Sequence, residues 1–136
     1  VGWRVIIEEG AEHLACLRLS PKGLMRWYAK CCKTPLANTL PNNKFAFVGL
    51  AVAALPGSEA ALGPVICRNR SANATGQGEA LSDFGIPRAG FRFLHRALKT
   101  RLAGKSRISP FFHPDGHPVV EPQVLTLEER KAAQKG

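Results

Sequence analysis

Two apolar segments separated by Ser20-Pro21-Lys22-Gly23 constrain this chain more than any other feature. Residues 13–19 alternate, with Leu14, Cys16 and Arg18 on one side and Ala15, Leu17 and Leu19 on the other, which is the two-residue period of a half-buried strand. Residues 24–30 carry Trp27 and Tyr28 and read as the returning strand. Between them, proline presets φ and glycine supplies a permissive position, as a tight turn requires. The hairpin delivers the chain to Cys31-Cys32.

Further strands are expected at residues 1–8, where Trp3 precedes Val5, Ile6 and Ile7, and at residues 63–69. The most apolar stretch, residues 44–55, reads as a central strand bent at Gly49. Residues 38–43 hold Pro41 and three asparagines and read as a loop, and residues 70–79 as a mobile one. One long helix is expected from Pro87–Gly90 onward. Phe91, Leu94, Leu98 and Leu102 recur at three and four residues and form an apolar stripe, and Gly104 stops the helix. Residues 106–124 are rich in proline and read as extended loop, and Thr126 with Glu129 fits a capping box that opens a short terminal helix.

At 136 residues the chain suits a single domain, residues 1–136, with one core. Its longest apolar run falls well short of the ~20 residues of a membrane span, so no membrane partner is expected. No signal-peptide pattern follows Val1, and an N-terminal piece is expected to be missing. Cys16 and Cys67 lie in apolar runs, where a free thiol behaves as a small hydrophobe. This points to a reducing compartment, hence the cytoplasm.

The stretch from Gly23 to Thr39, with Arg26, Trp27 and Tyr28 leading into Cys31-Cys32-Lys33-Thr34-Pro35, resembles the later half of the zinc signature of the glutathione-dependent formaldehyde-activating family. There an arginine and an aromatic precede Cys-x-x-Cys-Gly-Thr-Pro. Aligning Thr34-Pro35 puts Cys32 on the second cysteine, the non-ligating Ala29 on the first, and Lys33 on the glycine. With its tandem cysteines, the Leu-Ser-Pro-Lys-Gly turn, the run Lys44-Phe45-Ala46-Phe47-Val48-Gly49-Leu50 and Ser109-Pro110-Phe111-Phe112, the chain is similar to an uncharacterised bacterial branch of that family, from about His13 to Leu125. The resemblance implies a mainly β fold, a β-tent of antiparallel sheets, here with one amphipathic helix and a short C-terminal helix. It also implies zinc as cofactor in the intact protein, held partly by cysteine clusters upstream of this sequence. The implied activity is a carbon–sulfur lyase reaction on a small thiol, joining glutathione to formaldehyde as S-hydroxymethylglutathione. This chain alone is expected to be inactive.

Structural zinc takes four thiolate or imidazole ligands, and its cysteine pairs are commonly spaced by two to four residues. Adjacent cysteines in a strand point to opposite faces. Cys32 is therefore the expected metal ligand, with Cys31 second; two plain thiols at a hairpin end is the competing reading. His113-Pro114-Asp115-Gly116-His117 reads as a surface turn, since Pro-Asp-Gly is turn chemistry. Gly76-Gln77-Gly78 lacks the strand-loop-helix setting of a phosphate loop, and Asp83 has no visible acidic partner for acid–base work.

The formal charge of +9 opens an alternative. Arg92, Arg96 and Lys99 share one ridge of the long helix, with Arg88, Arg101, Lys105 and Arg107 nearby. Such a ridge can bind an anion or nucleic acid non-catalytically, and a solvated helix face is the simpler account of it.

Overall fold

The computed structural model describes residues 2–55, 57, 59–69, 71 and 82–135. Its centre is a five-stranded sheet built from β1 (Leu14–Arg18), β2 (Met25–Ala29), β3 (Pro35–Thr39), β4 (Val48–Leu50) and β5 (Gln123–Val124). The order is β4-β3-β2-β1-β5, antiparallel except for the short parallel pair of β5 with β1. Around it lie a single-turn helix α1 (Glu59–Leu62), the long helix α2 (Ile86–Leu102) and the C-terminal α3 (Leu127–Lys135). The protein is thus mainly β, with the amphipathic helix and the short terminal helix expected from sequence. None of the described helices is long and apolar enough to cross a membrane.

The first hairpin forms as its pattern dictates. Cys16 stands opposite Trp27 and Leu14 opposite Ala29, and the Gly23 amide donates to the Ser20 carbonyl at 2.9 Å to close the turn. Alternation then places Leu14, Cys16, Met25, Trp27, Ala37 and Thr39 on one buried face. Phe111 and Phe112 close that face: Phe111 lies 5.0 Å from the Trp27 ring and Phe112 meets it edge-on at 6.1 Å. The Trp27 indole N–H, shut away from water, donates to Thr39 Oγ1 at 2.9 Å. The Asn43 amide, buried itself, donates to the carbonyls of Arg107 and His113 and straps this aromatic loop to the body.

Several elements differ from the sequence expectation. Residues 1–8 pair with no strand among the described residues. They open with a 3₁₀ turn, Gly2–Arg4, although Val5 and Ile7 still pack on the core while Ile6 is exposed. Of residues 44–55 only Val48–Leu50 joins the sheet, and at its edge. A tight turn from Phe45 to Phe47 and a 3₁₀ turn at Val52–Ala54 break the run on either side. The interior place beside β2 is taken by Pro35–Thr39. Its small Ala37 stands opposite Trp27 in the register and its Thr39 supplies the indole's acceptor, so fit outweighs bulk apolarity. Asn38 and Thr39 are strand rather than loop. Residues 63–69 contribute only the isolated Arg68–Phe84 bridge. The expected loop at residues 70–79 and the Gly76-Gln77-Gly78 motif lie, apart from Ser71, outside the described residues.

Helix α2 begins one residue before Pro87, after Gly85 in a left-handed conformation (φ 69°). A Cβ there would lie 2.3 Å from the Ile66 carbonyl oxygen, so only glycine fits. The apolar stripe faces outward: Phe91 is 72% exposed and Leu102 80%. The helix rests instead on its short side chains. Ala89 and Ala97 are half-buried and Thr100 is buried, while Phe93 meets Phe47 edge-on at 5.5 Å. The α3 capping box forms as read: Glu129 accepts from the Thr126 amide at 2.8 Å, and Thr126 Oγ1 accepts from the Glu129 amide at 3.2 Å.

Candidate functional site

The chain leaves β2 at Ala29 and re-enters the sheet at Pro35 through a tight connection that holds both tandem cysteines. The Lys33 amide donates to the Ala29 carbonyl at 2.8 Å and the Ala29 amide to the Thr34 carbonyl at 2.9 Å. Closing so short a loop needs one residue in the left-handed region, and Lys33 takes it at φ 60°. For a non-glycine residue that conformation costs roughly 1–2 kcal/mol. The Lys33 ammonium lies 5.5 Å above the Tyr28 ring, a cation–π contact that offsets part of the cost.

Cys31 and Cys32 are both exposed free thiols. They sit on this turn and not on a strand, so the alternation that would send adjacent side chains to opposite faces does not apply to them. Cys32 Sγ lies 3.0 Å from Thr34 Oγ1. Bonds from the Thr34 hydroxyl and from the Thr34 amide, with a lesser contribution from the Cys31 thiol, favour the thiolate and hold Cys32 below the ordinary thiol range. Cys16 is the opposite case: burial pushes its thiol up to about 11, leaving it neutral and inert.

Among the described residues no group of three or more His, Cys, Asp or Glu side chains is placed to hold a metal ion. The tandem thiols are brought together, but as a pair. The His113–His117 segment is a turn, with the His113 amide donating to the His117 carbonyl at 2.8 Å and Asp115 accepting from the His117 amide at 2.9 Å. Both imidazoles are exposed. Asp83 accepts from the Ser71 amide and hydroxyl, at 2.8 and 2.6 Å.

A groove of about 440 Å³ lies over the sheet face that carries Arg26, Tyr28 and Asn38; Lys33 also lines it, and Leu17, Pro35 and Ala51 make the rest of its wall largely apolar. Lys33 belongs both to this groove and to the cysteine turn. Sequence reading had Arg26 and Tyr28 in hand without assigning them to a shared surface. The signal was available in strand alternation, which sets both opposite to Trp27.

The three predicted helix cations separate. Arg92 lines a small crevice with Phe47 and Phe93, Lys99 lines a larger groove against the N-terminal segment, and Arg96 borders both. That larger groove also contains Lys105, which sequence reading set near the ridge, and Trp3 and Arg4, which it left out because their convergence with the helix is tertiary.

The chain matches, over residues 3–123, a protein family described as a family of unknown function (DUF6151), and it belongs to that family. No curated protein and no solved structure matches it.

Proposed function

We propose that this family member is a zinc-associated domain in which Cys32, with Cys31 beside it, supplies soft-metal ligands from the β2–β3 turn. We propose further that the site serves carbon–sulfur chemistry on a small thiol. The observation that carries the reading is the Cys32–Thr34 arrangement. A metal ligand must be a thiolate, and this exposed thiol is the one whose neighbours favour that form. The pair fits as part of a clamp, since two thiols fall short of the four ligands of a structural zinc. Its exposed position leaves room for ligands from elsewhere. Zinc, when bound, would supply Lewis acidity toward a carbonyl and a hold on a thiolate.

The chain's own residues have definable parts in this reading. Thr34 favours the Cys32 thiolate, and the Lys33 backbone shapes the turn that presents it. Arg26 and Lys33 offer cations, and Tyr28 and Asn38 hydrogen-bonding groups, to the carboxylates of a glutathione-like thiol lying in the outer-face groove. A cytoplasmic location belongs to the same proposal, because exposed adjacent thiols persist as thiols in a reducing compartment.

The test is metal content after equilibrium dialysis of the full chain against zinc, read by elemental analysis. Cobalt substitution should show a thiolate-to-metal absorption band. Cys32→Ala should lower bound metal and remove the zinc-dependent gain in thermal stability together, with Cys31→Ala less damaging. Equal metal content in wild type and Cys32→Ala would overturn the assignment.

A further inference from the structure

The groove between α2 and the N-terminal segment has a volume of about 510 Å³, within the range of small-ligand sites. Its cations come from three stretches of chain: Arg4 from the Gly2–Arg4 turn, Arg96 and Lys99 from α2, and Lys105 from the turn that follows it. All four are exposed, and none forms an ion pair among the described residues. Among the described residues lining the groove there is no acid. Trp3 is half-buried there, with the Arg4 guanidinium 4.9 Å and the Lys105 ammonium 4.4 Å from its ring.

A solvated helix face spreads its charges outward. Here four like charges from separate elements gather at one concavity around an aromatic ring, an arrangement whose mutual repulsion a multivalent anion relieves. Thr100, also in the groove, is already committed, its hydroxyl donating to the Arg96 carbonyl at 2.8 Å. The charged donors are thus guanidinium and ammonium groups, with the His95 imidazole also on the lining. Arginine forks match phosphate oxygens in pairs, and a phosphate group brings up to two negative charges and three acceptor oxygens.

We propose that this groove binds a phosphate group through Arg4, Arg96, Lys99 and Lys105, with Trp3 as its aromatic wall. The site shares no residue with the cysteine turn and does not depend on the thiol reading. Arg92, which borders the apolar crevice instead, is not part of it. The phosphate can belong to a small molecule or to a single-stranded nucleic acid, and two probes separate these sources.

The experiment titrates the full chain with inorganic pyrophosphate, and separately with a thymidine oligomer of about eight nucleotides. Calorimetry gives the affinity and tryptophan emission reports on Trp3, the other tryptophan, Trp27, being buried. Pyrophosphate is expected to bind and to change the emission. Arg96→Ala and Lys99→Ala should each weaken binding about tenfold and Arg92→Ala less than twofold, all with unchanged far-UV dichroism. Trp3→Phe should remove the optical signal while calorimetric binding persists. Competition between oligomer and pyrophosphate, with oligomer affinity falling about 50-fold between 50 and 200 mM salt as four single-strand phosphate contacts require, makes nucleic acid the source. Pyrophosphate binding without oligomer binding makes it a small molecule. Absence of binding by both probes at millimolar concentration overturns the proposal, as does binding that Arg96→Ala and Lys99→Ala leave unchanged.

Discussion

The Trp27–Thr39 hydrogen bond joins the two strands that frame the cysteine turn, and its contribution can be isolated. Both residues are about 1% exposed and the bond is 2.9 Å long. Thr39→Val keeps the shape but leaves the indole N–H buried without a partner, at a cost of about 1–3 kcal/mol. Trp27→Phe removes the donor and part of a ring packed on Phe111 and Phe112, for about 2–4 kcal/mol in total. In the double variant no unsatisfied donor remains, so its loss should fall below the sum of the singles by about 1–2 kcal/mol. Urea unfolding followed by far-UV circular dichroism gives all three values without relying on tryptophan emission. For a domain of this size each kcal/mol corresponds to about 3–5 °C in Tm. Additivity within about 0.5 kcal/mol would refute the reasoning and show that packing alone fixes Trp27.

Two further predictions concern the thiols. The Cys16 thiol is raised from 9.0 to about 11 in the folded chain; the native state therefore holds its proton more tightly than the unfolded state, and the associated stability is complete below about pH 9 and lost as pH rises through about 11. The two-unit shift sets the loss at roughly 1–3 kcal/mol, and Cys16→Ala should flatten that alkaline limb in denaturant titrations at successive pH values. At the turn, Thr34→Val should slow iodoacetamide labelling of Cys32 near pH 7, since the depressed thiol moves back toward the ordinary range and less thiolate is present. Peptide mapping should find Cys31 and Cys32 labelled in the native protein and Cys16 only after unfolding; equal Cys32 rates in wild type and Thr34→Val would remove Thr34 from its assigned role.

What sequence made legible was local. The period of residues 14–18 and the Ser-Pro-Lys-Gly turn specified the first hairpin with its correct faces, because both signals lie within one stretch of chain. The same holds for the capping box at Thr126 and Glu129. Lys33 was recognised as standing where a glycine is expected, and its left-handed backbone shows why glycine suits that place. Failures arose where the decision was tertiary. Asn38 and Thr39 read as the start of a polar loop, yet they end an interior strand in which Ala37 stands opposite Trp27 and Thr39 supplies a hydroxyl to its indole. The Phe91–Leu102 stripe promised a buried face by periodicity, yet close approach of α2 to the body was achieved by Ala89, Ala97 and Thr100. For the same reason Cys31 and Cys32 were legible as a pair at the hairpin end but judged by strand alternation, which their turn does not obey, and the basic groove was half visible as a helix ridge with its N-terminal wall unseen.

The sheet separates its buried core from the open groove by the offset of a single residue. Met25 and Trp27 face the aromatic plug, while Arg26 and Tyr28 between and beyond them face the open groove. Both proposed sites consist of exposed side chains standing on buried supports: Cys32 on a turn held by the backbone of Ala29 and Thr34, Arg96 and Lys99 on a helix seated through Thr100. Truncating an exposed group here removes little apolar contact, whereas Phe111→Ala opens a cavity and costs about 3–5 kcal/mol. Cys32→Ala and Arg96→Ala should therefore weaken different binding activities in equally folded proteins. A variant of either kind that lost both activities at once would mean that the two sites share one support after all, and the Trp27–Phe111 core is where that support would lie.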